Sequence, residues 1–323
     1  MFNPFDRMVV PTYYGMKLKD LNPEQMAVMT AKAGVVIIRD SGATPEEYAE
    51  WSLGLGYHLS PEIWCTDKEH SSLFWTVTNE MMDDRNQGLF GDYELDWHTN
   101  MTPVGDAEET IGLYAKTISY DTETWFANSV PYFKQLDEGT KERLRTLDVI
   151  LDPKRQLGLI QEAWQPKFKK IYGQEVLDEI VKNRMSREVR NAINMEPENK
   201  HKFGKSRGIM NRHKLVPNHP LGVEGLFFSP YEVHSFEYSD VHPICPYEKY
   251  AEAEELYWQL WDDYVQNEKY IYKHKWQQGD IALFDNIIGI HRRPDIRKDK
   301  PRTLLRTATW YKSKLRKHHE YVV

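Results

Sequence analysis

Residues 279–306 read GDIALFDNIIGIHRRPDIRKDKPRTLLR, two apolar stretches separated by a charged loop. Ile281–Phe284 is a short apolar run, which is typical of a buried strand. A last strand is predicted at Thr303–Tyr311. His291 lies between the two strands, and Arg302 follows it by eleven residues. A strand that returns after the loop would bring this arginine to the same cavity as the histidine.

A second segment far upstream contains another histidine. It reads DWHTN over Asp96–Asn100, so His98 and Asn100 are two residues apart. On a strand this spacing places both side chains on one face. A metal bound there needs a further ligand, and His291 is the candidate. Two histidines and one oxygen ligand leave three open positions, the facial arrangement of non-haem Fe(II) oxygenases that accept a 2-oxo acid and O₂.

The far carboxylate of a 2-oxo diacid needs a cation beyond the metal. Arg302 is the candidate, because a guanidinium can bind a carboxylate through two parallel hydrogen bonds. Each piece is weak alone, since a single histidine is more often structural and an arginine-rich loop is usually solvated. The combination favours a metal site with an adjacent carboxylate site.

The rest of the chain predicts many short strands with helices at the start and in the middle. This pattern favours a β-sandwich or open barrel with helices packed outside. Residues 152–205 are strongly charged and helical in character, which predicts a solvated helical insertion, with a lid or a dimer contact as alternatives. The other predicted elements are helices at Asn22–Ala33, Pro45–Leu55, Val130–Leu136, Lys141–Ile150 and Ala251–Asn267, and strands at Val35–Ile38, Leu73–Thr78 and Ile111–Ile118.

Composition limits the function classes. The 323 residues are treated as one domain, residues 1–323, and 42 basic against 49 acidic residues do not favour nucleic-acid binding. The two cysteines predict free thiols in a reducing, cytoplasmic compartment. No apolar run approaches the length of a membrane span. We therefore expect a small-molecule substrate and no nucleic-acid or membrane partner. The sequence does not decide the oligomeric state, and a homo-oligomer is one alternative.

Several motifs resemble one family, the taurine dioxygenase and TfdA-like branch of Fe(II)/2-oxoglutarate-dependent oxygenases. WHTN matches the family's Trp-His-x-Asp except at its last residue, and ETWFAN is similar to its Thr-x-Phe-Ala-Asn stretch. HPLG matches its His-Pro-x-x-Gly pattern approximately, and the distal WQQGD, Asp-Asn, histidine and arginine pair follow in order. The resemblance runs from about Asn22 to Tyr311, with residues 152–205 matching poorly, and it implies a double-stranded β-helix (jelly-roll) core with flanking helices.

The resemblance also implies residue roles. His98 and His291 bind Fe(II), Arg302 and Thr124 hold the distal carboxylate of 2-oxoglutarate, and Arg306 points into the site, where it holds an anionic group of the cosubstrate or substrate. The implied reaction uses O₂, releases succinate and CO₂, and hydroxylates an unactivated C–H bond of a small molecule.

The departure from the family is Asn100, which stands where the family has a carboxylate. In one interpretation Asn100 ligates through its side-chain oxygen; in a second it leaves a vacancy for water or a halide, as in related halogenases; in a third Asp96 substitutes for it. A catalytically silent ligand-binding protein of the same fold is a further alternative.

Overall fold

The structure is a computed structural model that describes residues 8–59, 66–67, 69–82, 85–86, 95–100, 108–151, 211–230, 233–238, 255–294, 297 and 299–315. The predicted insertion, residues 152–205, lies outside these ranges. The strands are β1 (Thr12–Tyr14), β2 (Val35–Arg39), β3 (Gly56–His58), β4 (Trp75–Thr78), β5 (Met81–Met82), β6 (Arg85–Asn86), β7 (Leu95–His98), β8 (Thr110–Ile118), β9 (Glu123–Asn128), β10 (Leu147–Leu151), β11 (Asn211–Lys214), β12 (Val233–Tyr238), β13 (Ile271–Lys275), β14 (Ile281–Asp285), β15 (Gly289–Arg293) and β16 (Arg302–Tyr311). The α-helices are α1 (Pro23–Ala33), α2 (Pro45–Ser52), α3 (Ser129–Gln135) and α4 (Glu138–Arg145). Residues 255–260 are also α-helical and continue into a π-helical turn, Trp261–Val265.

Two sheets form the core. The larger sheet has the strand order β1-β2-β14-β8-β16-β3, with β4 also paired to β16, and the smaller sheet has the order β13-β9-β15-β7. Apart from β1 and β2, which run parallel, the paired strands of both sheets are antiparallel. Phe126 of the smaller sheet packs in one buried cluster with Phe284, Leu113 and Leu304 of the larger sheet. This interior between two sheets confirms the predicted jelly-roll core.

Helix α1 begins and ends where the sequence predicts. The Asn22 side chain accepts hydrogen bonds from the first helical N–H groups, Pro23 occupies the first turn, and Gly34 ends the helix with a φ of 82°. A side chain at Gly34 would also collide with Asn128, because an added Cβ lies 2.6 Å from that side chain. Met26, Ala27 and Ala31 bury the inner face of the helix against the outer face of the larger sheet. The flanking helices are therefore outside the core, as predicted.

One predicted helix is partly wrong. Lys141–Ile150 was expected to be helical throughout, but α4 ends at Arg145 and Leu147–Leu151 forms strand β10. All five residues of β10 are buried, and the strand pairs with β11 and β12 in a third sheet. The reason is tertiary: a short run with adjacent Val149 and Ile150 gains more from burial between two strands than from continuing a charged helix. Within the described residues, no helix combines the length and hydropathy needed to cross a membrane.

Candidate active site

The two histidines are neighbours across a pair of strands. His98 ends β7, His291 lies in β15, and the antiparallel register places them directly opposite each other. Their ring centroids are 4.2 Å apart. Residues opposite each other in a sheet project to the same face. Residues nearly two hundred positions apart in the sequence therefore meet at one point, as predicted.

The hydrogen bonding of His98 and the burial of His291 both suit metal binding. The Nδ1 of His98 donates a hydrogen bond to the carbonyl oxygen of Asp96 at 2.6 Å, which leaves the lone pair on Nε2. Burial lowers the pKa of His291 well below its ordinary value of 6.5, and the charges of His98 and Arg306 act in the same direction. The His291 ring is thus held in its neutral form, the form that binds metal.

Asn100 lies beside this pair, two residues beyond the end of β7. Its Nδ2 is 3.3 Å from the Nε2 of His291. Two ligand atoms at about 2.1 Å from one ion, at right angles, are themselves about 3 Å apart. Because rotating an amide by 180° exchanges its nitrogen and oxygen, the Asn100 oxygen can occupy the same position. Two imidazoles and one amide oxygen therefore fit a divalent ion, with one negative charge fewer than a carboxylate would supply.

Asn286 fixes the backbone of Asn100. Its side-chain oxygen accepts a hydrogen bond from the Asn100 N–H at 2.9 Å, and its Nδ2 donates to the carbonyl oxygens of Asn100 and Glu108, at 3.1 and 2.9 Å. The Asp-Asn pair at the end of β14 belongs to the family resemblance, but the resemblance implies no role for Asn286. The buried amide holds the segment that carries the third candidate ligand.

The turn that carries Asn286 is itself held by a buried polar network. One oxygen of Asp285 accepts hydrogen bonds from the backbone N–H groups of Ile287 and Ile288, both at 2.9 Å. The other accepts from the Nε2 of His219 at 2.9 Å and from the Tyr311 hydroxyl at 2.8 Å. The His219 of the HPLG motif is therefore a positioning residue, because it orients the turn through Asp285.

Within the described part of the chain, no cluster of three His, Cys, Asp or Glu side chains is arranged to hold a metal ion. Asp96, the alternative third ligand, instead has a carboxylate oxygen 2.8 Å from the backbone N–H of Trp97, from which it accepts a hydrogen bond. Asn100 thus remains the side chain best placed to complete the histidine pair.

The predicted carboxylate site is also assembled. Arg302 is 2% exposed, and its Nη2 donates to the Thr124 hydroxyl at 3.2 Å. The same hydroxyl accepts a hydrogen bond from the indole N–H of Trp276 at 2.8 Å. Because the Thr124 oxygen accepts two bonds, its own proton is left to be donated to a further acceptor.

Arg302 is a buried cation with no carboxylate counter-ion among the described residues. Burial lowers its pKa to about 10. No carboxylate of the described residues forms an ion pair with it, and its Nε is buried without a hydrogen-bond partner there. A desolvated, unpaired guanidinium is costly in a folded protein. The arrangement is therefore that of a site for a small anion.

Both parts of the site face the same interior. In β9, Thr124 projects to the same face as Phe126, which lies opposite His291 in β15 and packs between the two sheets. In β16, Arg302 and Leu304 project to one face, and Leu304 belongs to the same interior cluster. The candidate metal ligands and the candidate anion site thus line one space between the sheets.

The second arginine of the predicted pair has a different environment. Arg306 forms an ion pair with Glu108, and both side chains are at least 95% buried. Its guanidinium carbon lies 4.8 Å from the centre of the Trp75 ring. Glu108 had no place in the sequence analysis, because it belongs to no recognised motif and is separated from Arg306 by 198 residues.

Comparison with known proteins agrees with this geometry. A family profile described as "Taurine catabolism dioxygenase TauD, TfdA family" matches residues 6–308, and the chain belongs to this family. It is accordingly a 2-oxoglutarate-dependent dioxygenase with Fe(II), 2-oxoglutarate and O₂ as cofactor and cosubstrates.

Solved structures share the fold. A taurine dioxygenase from Burkholderia xenovorans is 18% identical, with 95% of this chain and 88% of that chain covered and a TM-score of 0.60. AAD-2, solved in complex with Mn(II) and N-oxalylglycine, is 17% identical, with 94% of each chain covered and a TM-score of 0.61. No curated protein sequence matches the chain. At these identities the structural likeness supports the fold alone.

Proposed function

We propose that this oxygenase holds Fe(II) with His98, His291 and Asn100, and that Arg302 and Thr124 bind the distal carboxylate of 2-oxoglutarate. The reaction we propose is hydroxylation of an unactivated C–H bond of a small molecule, with release of succinate and CO₂. Bound Fe(II) and 2-oxoglutarate supply the oxidising chemistry. The protein residues bind and orient these groups and exclude water from the interior between the sheets.

The buried Arg302 is the single observation that carries the proposal. Its lack of a carboxylate partner among the described residues, together with the donor capacity left on Thr124, matches the far end of a five-carbon diacid. The histidine pair on the facing sheet matches the end of the same diacid that binds the metal.

Halogenation is the closest alternative, and the position of Asn100 argues against it. A halide needs an open coordination position where the family has its carboxylate. The Asn100 side chain lies 3.3 Å from His291 Nε2, a distance that supports its occupying that position. A catalytically silent binding protein is the other alternative, and it predicts 2-oxoglutarate binding without metal.

Metal binding and turnover together test the proposal. Mn(II) binding followed by electron paramagnetic resonance should be lost in His98→Ala and in His291→Ala. It should be retained in His58→Ala, a matched substitution of a half-buried histidine in β3. Succinate formation by the wild type should require both Fe(II) and 2-oxoglutarate. Mn(II) binding that persists in both site variants, or an absence of metal binding in the wild type, would overturn the proposal, and chloride-dependent product would instead favour a halogenase.

A further inference from the structure

The ion pair between Glu108 and Arg306 is not required by the chemistry proposed above. Both side chains are withdrawn from solvent, and Arg306 shares the inward face of β16 with Arg302. The two arginines differ in their counter-ions. Arg302 has no carboxylate partner among the described residues, whereas the charge of Arg306 is already compensated by Glu108.

This pair lies close to the candidate metal ligands. The Asn286 side-chain amide donates to the carbonyl oxygens of both Asn100 and Glu108, so these two backbone segments are adjacent. A substrate group bound beside the candidate metal ligands therefore lies near the pair.

An anionic substrate group gains little from a cation that is already paired. To bind Arg306 closely it would have to displace Glu108, and a buried carboxylate without its partner is strongly unfavourable. The pair still has unused hydrogen-bonding capacity, because a guanidinium has five N–H donors and a carboxylate accepts at both oxygens. A group with donors, acceptors and no net charge, such as a primary amide, suits such a surface.

We propose that Glu108 is a specificity residue: it neutralises Arg306, so that the substrate group beside this pair carries no net charge and singly anionic groups are excluded. This inference rests on the proposed function for the location of the substrate. It replaces the expectation that Arg306 holds an anion.

The test asks whether removing the charge of Glu108 exposes an anion site. Methanesulfonate serves as the probe, and its binding is followed by tryptophan fluorescence, since Trp75 stacks on Arg306. The metal-free full chain is kept saturated with 2-oxoglutarate, so that Arg302 is occupied. Glu108→Gln should bind the probe at least about tenfold more tightly than the wild type, a difference of roughly 1.4 kcal/mol. The double variant Glu108→Gln/Arg306→Gln should lose this gain.

Two results would overturn the inference: methanesulfonate binding to the wild type as tight as to Glu108→Gln, or no gain in a folded Glu108→Gln protein. If Glu108→Gln does not fold, methanesulfonate binding to the wild type is the deciding measurement. Saturable binding to the wild type would show that Arg306 is available to an anion and would overturn the inference. No binding would support the exclusion of anions by Glu108. The readout needs no turnover. It is therefore separate from the metal-binding and succinate measurements, whose failure would count against the proposed function alone.

Discussion

Arg302→Met removes the buried guanidinium while keeping a long side chain, and it should have opposite effects on the free and bound protein. Burial lowers the pKa of Arg302 from 12.5 to about 10. Since one pKa unit corresponds to about 1.36 kcal/mol, the charged group destabilises the ligand-free fold by about 3 kcal/mol. The hydrogen bond to Thr124 offsets about 1 kcal/mol of this. The variant without ligand should therefore be more stable than the wild type by about 2 kcal/mol.

The bound state responds in the other direction. Removing one partner of a buried ion pair typically costs about 3–5 kcal/mol, which corresponds to at least about a 150-fold weaker Kd for 2-oxoglutarate. Thermal unfolding with Mn(II), measured with and without 2-oxoglutarate, reports both effects. The stabilisation by 2-oxoglutarate should disappear in Arg302→Met and persist in Arg297→Met, which removes an exposed arginine paired with Asp299 at 2.6 Å. A ligand-free Arg302→Met protein that is clearly less stable than the wild type, yet still stabilised by 2-oxoglutarate, would refute the reasoning, because Arg302 would then be structural.

Three further results are expected. Asn100→Asp should bind Mn(II) at least about tenfold more tightly than the wild type, because an anionic ligand replaces a neutral one. Isothermal titration calorimetry measures this gain in affinity. An unchanged affinity would mean that Asn100 does not ligate the metal. Thr124→Val should weaken 2-oxoglutarate binding by about tenfold or more through loss of a hydrogen bond to a charged group, and equal Kd values would exclude that contact. Burial lowers the pKa of His58 below 6.5, so the unfolded chain takes up a proton at a higher pH than the folded chain does. The contribution of neutral His58 to the free energy of unfolding should therefore be complete above pH 6.5 and should be lost as the pH decreases. In His58→Gln, the melting temperature should decrease less between pH 6.5 and lower pH than it does in the wild type. An equal decrease in both proteins would contradict the role given to His58.

The parts of the fold that follow local rules were predictable. Asn22 with Pro23 marks the start of α1, Gly34 marks its end, and the apolar runs at β2 and β14 were identified as strands. In the site, the pairing of His98 with His291 was predictable only through the spacing of a whole set of motifs. No property of either histidine alone specifies a partner almost two hundred residues away.

The parts that depend on tertiary partners were not predictable. Residues 147–151 follow a helix without any breaker, and only the strands on both sides of β10 decide that they are extended. Glu108 is one acidic residue among many in the sequence, and its contact with Arg306 becomes visible only when the residues before β8 are placed beside β16. A charge that is compensated from a distant segment leaves no local pattern, so the sequence suggested an available cation where the structure has a neutral pair.

The turn after β14 connects the departure from the family pattern at Asn100 with the buried pair of Glu108 and Arg306. Asn286 holds the backbone of Asn100, which lacks the usual negative charge, and that of Glu108, which supplies one nearby. The neutral side chain among the candidate metal ligands thus lies one hydrogen-bonded segment away from a buried carboxylate, which compensates Arg306 instead of the metal. Because one amide fixes both segments, a substitution at Asn286 should disturb metal binding and substrate charge preference together, whereas substitutions at Asn100 or Glu108 should change only one of them.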